Sequence, residues 1–214
     1  MRFKAISVVV LYGAVGTWAL SVILAAPAPA PKSWNFDDLV SGGVLKDFTV
    51  ESGEWKVETD ASAPSKKQIL SQTAKSDTTT YNVTLVKDFQ AKDLELSVKM
   101  KSILGEIDQG GGLVWRAKDG KNYYITRFNP LEKNFRVYKV EDGKRTQLGS
   151  VDLELSADWH VLRVTMVGDQ IECFVDDKKQ LEAKDSTFKD AGRIGLWTKA
   201  DAHTHFDDLT VTAK

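Results

Sequence analysis

The chain has 214 residues, 42% of them hydrophobic and 28% charged, with 29 basic against 30 acidic side chains and one Cys. The length fits one or two domains, and the apolar fraction supports a packed core rather than a disordered chain. The balanced charge argues against nucleic acid as a partner, which calls for a basic excess on one face, and a lone Cys excludes both an intramolecular disulfide framework and Cys-based zinc modules.

The first residues carry Arg2 and Lys4, and an uncharged apolar run follows from Ala5 to Ala26. That run is close to the roughly 20 residues that span a bilayer, and the small residues Ala25 and Ala26 offer a cleavage point. Residues 1–25 therefore read as an export signal cleaved near Ala25, the alternative being an uncleaved N-terminal anchor helix, the one route by which this chain would meet a membrane. Pro27, Pro29 and Pro31 alternate with Ala, so 26–33 reads as a short stiff linker. Export implies a periplasmic, secreted or cell-surface protein. Removing Arg2 and Lys4 leaves the remaining domain, 34–214, mildly acidic.

From Trp34 onward the apolar pattern has period two. Strands are predicted to begin near Val44, Glu54, Tyr81, Asp93, Gly111, Asn122, Asn134, Trp159, Gln170, Arg193 and His205. No stretch sustains a helical period, and the turns KDGKN and VEDGK suit hairpins. The pattern predicts an all-β sandwich of two antiparallel sheets. NFDDL at Asn35 and HFDDL at His205 suggest that the terminal strands pair. Cys173 shares a strand face with Ile171 and Val175 and reads as a buried small residue rather than a reactive thiol. Trp55, Trp159 and Trp197 read as core anchors.

The segment WHVLRVTMVGDQIECFVDD is similar to laminin-G-like and concanavalin A-like sandwiches. The run GGGLVWRAKDGKNYYITRFNPLEKNFRVYKVEDGKR, with the later GRIGLWTKADAHTHFDDLTV, resembles the bacterial 3-keto-disaccharide hydrolase domain family, which is described as family 16 glycoside hydrolase-like. The resemblance covers Trp34 to Ala213. It implies a concanavalin A-like jelly roll whose concave sheet commonly meets carbohydrate, an oligosaccharide or polysaccharide. One fold hosts enzymes, glycan binders and structural adhesion modules, so three functions stay open.

The laminarinase-type motif Glu-x-Asp-x-x-Glu finds Glu106 and Asp108 in GEIDQGGG, but the third acid is replaced by Gly111. The pair reads as a solvated acidic turn, with a proton-transfer pair as the alternative. Gly110 to Gly112 read as a bend rather than a catalytic strand. Alternation places Val114 and Arg116 on one face and Leu113, Trp115 and Ala117 on the other, while Tyr123 and Arg127 share a face, as do Arg136 and Tyr138. Rings that stack on sugars and guanidinium groups that bond hydroxyls make Arg116, Tyr123, Arg127 and Tyr138 the candidate glycan-binding set. His203 and His205 point the same way in a strand, as polar strand-end residues, a transition-metal pair or proton-transfer groups. Asp207 and Asp208, with Asp37 and Asp38, are candidate ligands for a structural calcium, which related sandwiches imply.

Overall fold

The computed structural model describes residues 30–43 and 45–214. The expected signal or anchor segment 1–25 and the start of the linker lie outside the described residues, as does Val44. The described residues contain no helix. Their strands are β1 (Lys32–Trp34), β2 (Phe48–Ser52), β3 (Trp55–Thr59), β4 (Gln68–Gln72), β5 (Tyr81–Ala91), β6 (Leu94–Leu104), β7 (Gly111–Asp119), β8 (Asn122–Asn129), β9 (Asn134–Glu141), β10 (Lys144–Asp152), β11 (His160–Val167), β12 (Gln170–Val175), β13 (Lys178–Lys184), β14 (Gly192–Lys199) and β15 (His203–Ala213).

Two devices set these strands. Period-two burial fixes register: in β6, Leu94, Leu96, Val98 and Met100 are buried while Glu95, Ser97, Lys99 and Lys101 stay partly exposed, so a one-residue slip would turn the apolar set to water. Two-residue turns fix the hairpins. Asp142 and Gly143 take φ 48° and 78° between the paired Glu141 and Lys144, and Asp176 and Asp177 take φ 48° and 62° between Val175 and Lys178. Both central residues then lie in the left-handed region that matches strand twist.

All pairings are antiparallel. One sheet has the order β13-β12-β11-β6-β15-β4-β3, with β1 also on β15, and the other β10-β9-β8-β7-β14-β5-β2. Together they form a jelly-roll sandwich. Trp34 pairs with Leu209, so the terminal strands do meet, just beside the two similar pentapeptides. Between the sheets lies the main core: Leu96, Val98, Val164, Met166, Cys173 and Phe206 from one side face Leu113, Trp115, Tyr124, Phe128, Val137 and Leu196 from the other. Each such side chain contributes about 1.5–3 kcal/mol by leaving water. Trp115 stacks on Tyr124 with ring centroids 5.6 Å apart and directs Nε1 at Met166 Sδ, 3.0 Å away. Burial pushes the Cys173 thiol up to about 12, so it packs as an inert residue.

Of the three expected anchors, Trp55 belongs to this core. Trp159 does not: it lies one residue ahead of β11, half-buried, and donates Nε1–H to Ser62 Oγ at 3.0 Å on the surface. Trp197 is fully buried but on the opposite face of its sheet. Gly111 and Gly112 are strand residues, not a bend. A Cβ at Gly112 would run into the Thr126 carbonyl oxygen of the neighbouring strand, and one at Gly111 would stand 2.7 Å from Thr204 Cγ2. Glycine here permits close approach of strands.

Candidate functional site

Alternation turns one set of side chains from the seven-stranded sheet into the core and the other onto its outer face. That outer face is apolar at its centre, where Val83, Leu85, Val114, Tyr123, Ile125, Tyr138, Val140 and Trp197 form a second buried cluster. Its long side chains fold over it. The Arg145 guanidinium lies 4.3 Å from the Tyr138 ring centroid, 5.4 Å from Tyr81 and 5.7 Å from Trp197, and the Tyr81 and Trp197 rings are 5.5 Å apart. Each cation–π contact of this kind is worth about 0.5–2 kcal/mol, more as water is excluded.

Polar atoms are embedded in this surface. The Tyr123 hydroxyl, Trp197 Nε1, Arg127 Nε and Nη1, and Arg145 Nη1 are shielded from solvent and have no hydrogen-bond partner among the described residues. Burial pushes the Tyr123 phenol up, so it is neutral and able to donate. Leaving a buried donor unpaired costs about 1–3 kcal/mol. Several such donors on one face can bond the acceptor groups of a ligand.

The β8–β9 hairpin supplies the polar rim. Asn129 Oδ1 accepts the N–H groups of Leu131 and Glu132 at 3.0 and 3.1 Å, and Lys133 takes φ 51°. This Asx-type turn returns Glu132 over the sheet. Glu132 Oε2 accepts from Arg127 Nη2 at 2.7 Å, Asn134 Nδ2 at 3.2 Å and Arg136 Nη1 at 3.3 Å. Burial opposes its charge, but these donors outweigh it and hold Glu132 below the usual carboxylate range. Asp108 behaves in the opposite way. Its Oδ1 accepts from Gly110 N at 2.6 Å and Asn129 Nδ2 at 3.0 Å, while Oδ2 is buried with no hydrogen-bond partner among the described residues, 4.0 Å from Lys199 Nζ. Burial lifts Asp108 above the usual range even though Arg127 pulls the other way. Two carboxyl groups in the field of one arginine thus carry opposite biases.

Of the residues expected to bind glycan, the structure brings together Tyr123, Arg127 and Tyr138, which share this face with Arg136. Arg116 is elsewhere, and the expected alternation is corrected there. It takes φ 47° at a bulge where β7 loses register with both β8 and β14. The bulge moves Ala117 onto the face of Val114 and drives the Arg116 side chain to the end of the sandwich. There it donates Nε–H to Lys92 O at 2.6 Å, Nη1–H to Phe188 O at 2.8 Å, and from Nη2 to Gly168 O at 2.8 Å and Asp93 Oδ1 at 3.1 Å. This guanidinium joins chain turns and has little left to offer a ligand.

Glu106 and Asp108 part company. Asp201 accepts the N–H groups of Glu106, Ile107 and Asp108 at 2.8, 3.1 and 3.0 Å, shaping a loop in which Asp108 turns inward and Glu106 stays exposed. Glu106 borders a separate cavity of about 540 Å³ shared with Asp201 and His203. His203 and His205 project from the outer face of the other sheet, away from Arg127. Asp207 is buried, with Oδ2 accepting from Ser65 N at 2.9 Å and Oδ1 from Asp208 N at 2.8 Å, whereas Asp208 pairs with Lys99 at 2.8 Å.

Sequence reasoning did not single out Glu132, Arg145 or Tyr81, and it assigned Trp197 to the main core. The signal for Trp197 was present, since alternation in RIGLWTK opposes it to Leu196. Glu132 and Arg145 lie in or beside turns, where period says nothing about direction.

No family model and no curated protein matches this chain. Solved structures do. The carbohydrate-binding module CBM66 from Bacillus subtilis superposes with a TM-score of 0.66 at 19% identity, covering 78% of this chain and 96% of that one. A Bacteroides ovatus GH16 protein from a mixed-linkage glucan locus, in complex with a G4G4G3G product, gives 0.60 at 12% identity over 84% of this chain and 99% of that one. The Bacillus licheniformis β-glucanase gives 0.57 at 13% identity over 87% and 99%. With these three proteins the chain shares the concanavalin A-like jelly-roll fold.

Proposed function

We propose that this protein is an exported glycan-binding module whose ligand lies on the outer face of the seven-stranded sheet. One observation carries the reading: buried donors of Tyr123, Arg127, Arg145 and Trp197, without partners among the described residues, lie on one sheet face beside the partly exposed Tyr81 ring. A sugar meets both demands, with acceptor hydroxyls for the donors and an apolar ring face for the aromatic surface. The jelly-roll neighbours, one titled a carbohydrate-binding module, support the same direction. The test is a glycan array and titration calorimetry on the whole chain beside Arg127→Ala. Binding in the parent and its loss by at least tenfold in the variant are expected, and an array on which the parent binds nothing would end the proposal.

A second reading, hydrolysis of glycosidic bonds in the manner of the 3-keto-disaccharide hydrolase family, is favoured by the opposed biases of Asp108 and Glu132. A carboxyl group biased toward its protonated form and one biased toward its ionised form are the two partners such chemistry requires. Release of reducing sugar from keto-disaccharides, lost in Asp108→Asn, separates this reading from plain binding.

Structural calcium near the paired termini is also part of the proposal. Both Asp37 carboxylate oxygens are shielded from solvent and lack hydrogen-bond partners among the described residues, and Ser65 links Asn35 O with Asp207 Oδ2 at 3.5 and 2.9 Å. Oxygen ligands of this kind suit calcium, and Asp37 and Asp207 would hold it. Asp208, already paired with Lys99, would not. Millimolar calcium is expected to raise Tm by several degrees in the parent and not in Asp37→Asn; a melt that ignores calcium would remove the ion from the proposal.

A further inference from the structure

The outer face of the eight-stranded sheet carries the two histidines that the glycan site does not use. β15 pairs with β4 and β4 with β3, His205 standing opposite Ser71 and Ser71 opposite Lys56. Across this three-strand edge, Glu58 reaches from β3 toward His203 and His205. Glu58 Oε2 is 3.7 Å from His203 Nε2 and 3.8 Å from His205 Nε2, and one ligand atom from each of the three residues falls within 4.8 Å of the others. An ion about 2.1 Å from each of its ligands sets them about 3.4 Å apart. Two of the three separations are therefore within a few tenths of an ångström of the metal-bound value.

The surroundings favour a metal over a simple hydrogen-bonded cluster. His205 Nδ1 lies 2.9 Å from Asp60 Oδ2. Asp60 is ionised at neutral pH and can only accept, so the ring proton sits on Nδ1 and the Nε2 lone pair is left to face Glu58. This carboxylate–histidine arrangement is the one that orients metal-bound imidazole. Lys56 Nζ, 3.4 Å away, takes Glu58 Oε1 and leaves Oε2 to the histidines. His203 Nε2 is also 3.0 Å from Ser71 Oγ, a hydroxyl that rotates to release it.

We propose that Glu58, His203 and His205 form a binding site for a divalent transition metal of the zinc class, with Asp60 orienting His205. Two imidazole nitrogens and one carboxylate oxygen suit zinc and leave a fourth position open to water. The ion would join β3 to β15 across β4 and so fasten the edge hairpin to the sheet.

The chain has three histidines and one cysteine. Cys173 is buried in the core, and His160 is engaged by Asp176 at 2.7 Å, so competing sites are few. The test is zinc titration calorimetry on the full chain without an affinity tag, in chelator-free buffer. One zinc per chain is expected, with affinity at least tenfold weaker in Glu58→Gln, His203→Ala and Asp60→Asn and unchanged in His160→Ala. Ring NMR signals of the unmutated chain give a reading independent of variant folding: zinc should move those of His203 and His205 and leave His160 in place. Absence of zinc binding, unchanged affinity in His203→Ala, or a shift confined to His160 would overturn the proposal.

Discussion

Arg116→Ala is expected to lower unfolding stability by about 3–5 kcal/mol while leaving glycan affinity of the folded protein unchanged. The side chain is 1% exposed and carries four hydrogen bonds, three of them to carbonyls in separate segments at one end of the sandwich. Truncation leaves those carbonyls and Asp93 without their cation in a confined space, and breaking a buried charged contact costs that much. Lysine would recover little, because one ammonium cannot reach the same spread of acceptors. Urea unfolding should show a lower midpoint with an unaltered slope. A shift under 1 kcal/mol would mean that the turns hold without the arginine. Arg127→Ala provides the contrast. Its guanidinium makes one hydrogen bond, to Glu132, and that carboxylate keeps Arg136 and Asn134 when Arg127 is gone. Stability should change far less than affinity.

Gly112→Ala is expected to cost about 3 kcal/mol or more, enough to endanger folding of a marginally stable domain. The added methyl would meet the Thr126 carbonyl oxygen and stand 2.9 Å from Arg127 Cα, both backbone atoms that no side-chain rotation can move aside. Gly143→Ala is the comparison. Nothing lies within 4 Å of its added Cβ, and only its φ of 78° opposes a side chain, so a cost of about 1 kcal/mol is expected. Thermal melts of the two variants should differ by several degrees. Equal melting points would show that β7 can move away from β8 and that its closeness is not built in.

These contrasts also mark what could be read before the fold was known. Period two located β6, β8, β9, β11 and β12 because each has at least one face in a dry core. The edge strands β10 and β13, KRTQLGSVD and KKQLEAK, were not anticipated, since a strand half in water is under little pressure to alternate. Tyr123, Arg127 and Tyr138 came together as alternation required. Arg116 did not, because a single left-handed residue resets the alternation after it. Glu132 depends on a turn, and Glu58 joins His203 only through two intervening strand pairings, which no local pattern encodes.

The order of the strands has a consequence for how the sandwich closes. β14 lies between β7 and β5, and β15 between β6 and β4. The middle of each sheet is thus occupied by a strand that comes late in the chain. A polypeptide emerging from its N-terminus can pair β2 with β5, β3 with β4, β6 with β11, and β7 with β8 and β9, but the two sides of each sheet stay apart until residues 192–213 arrive. Pairing then joins strands more than a hundred residues apart, a non-local closure that is intrinsically slow. Until that moment the main core lacks Ile194, Leu196 and Phe206, and the second apolar face lacks Trp197.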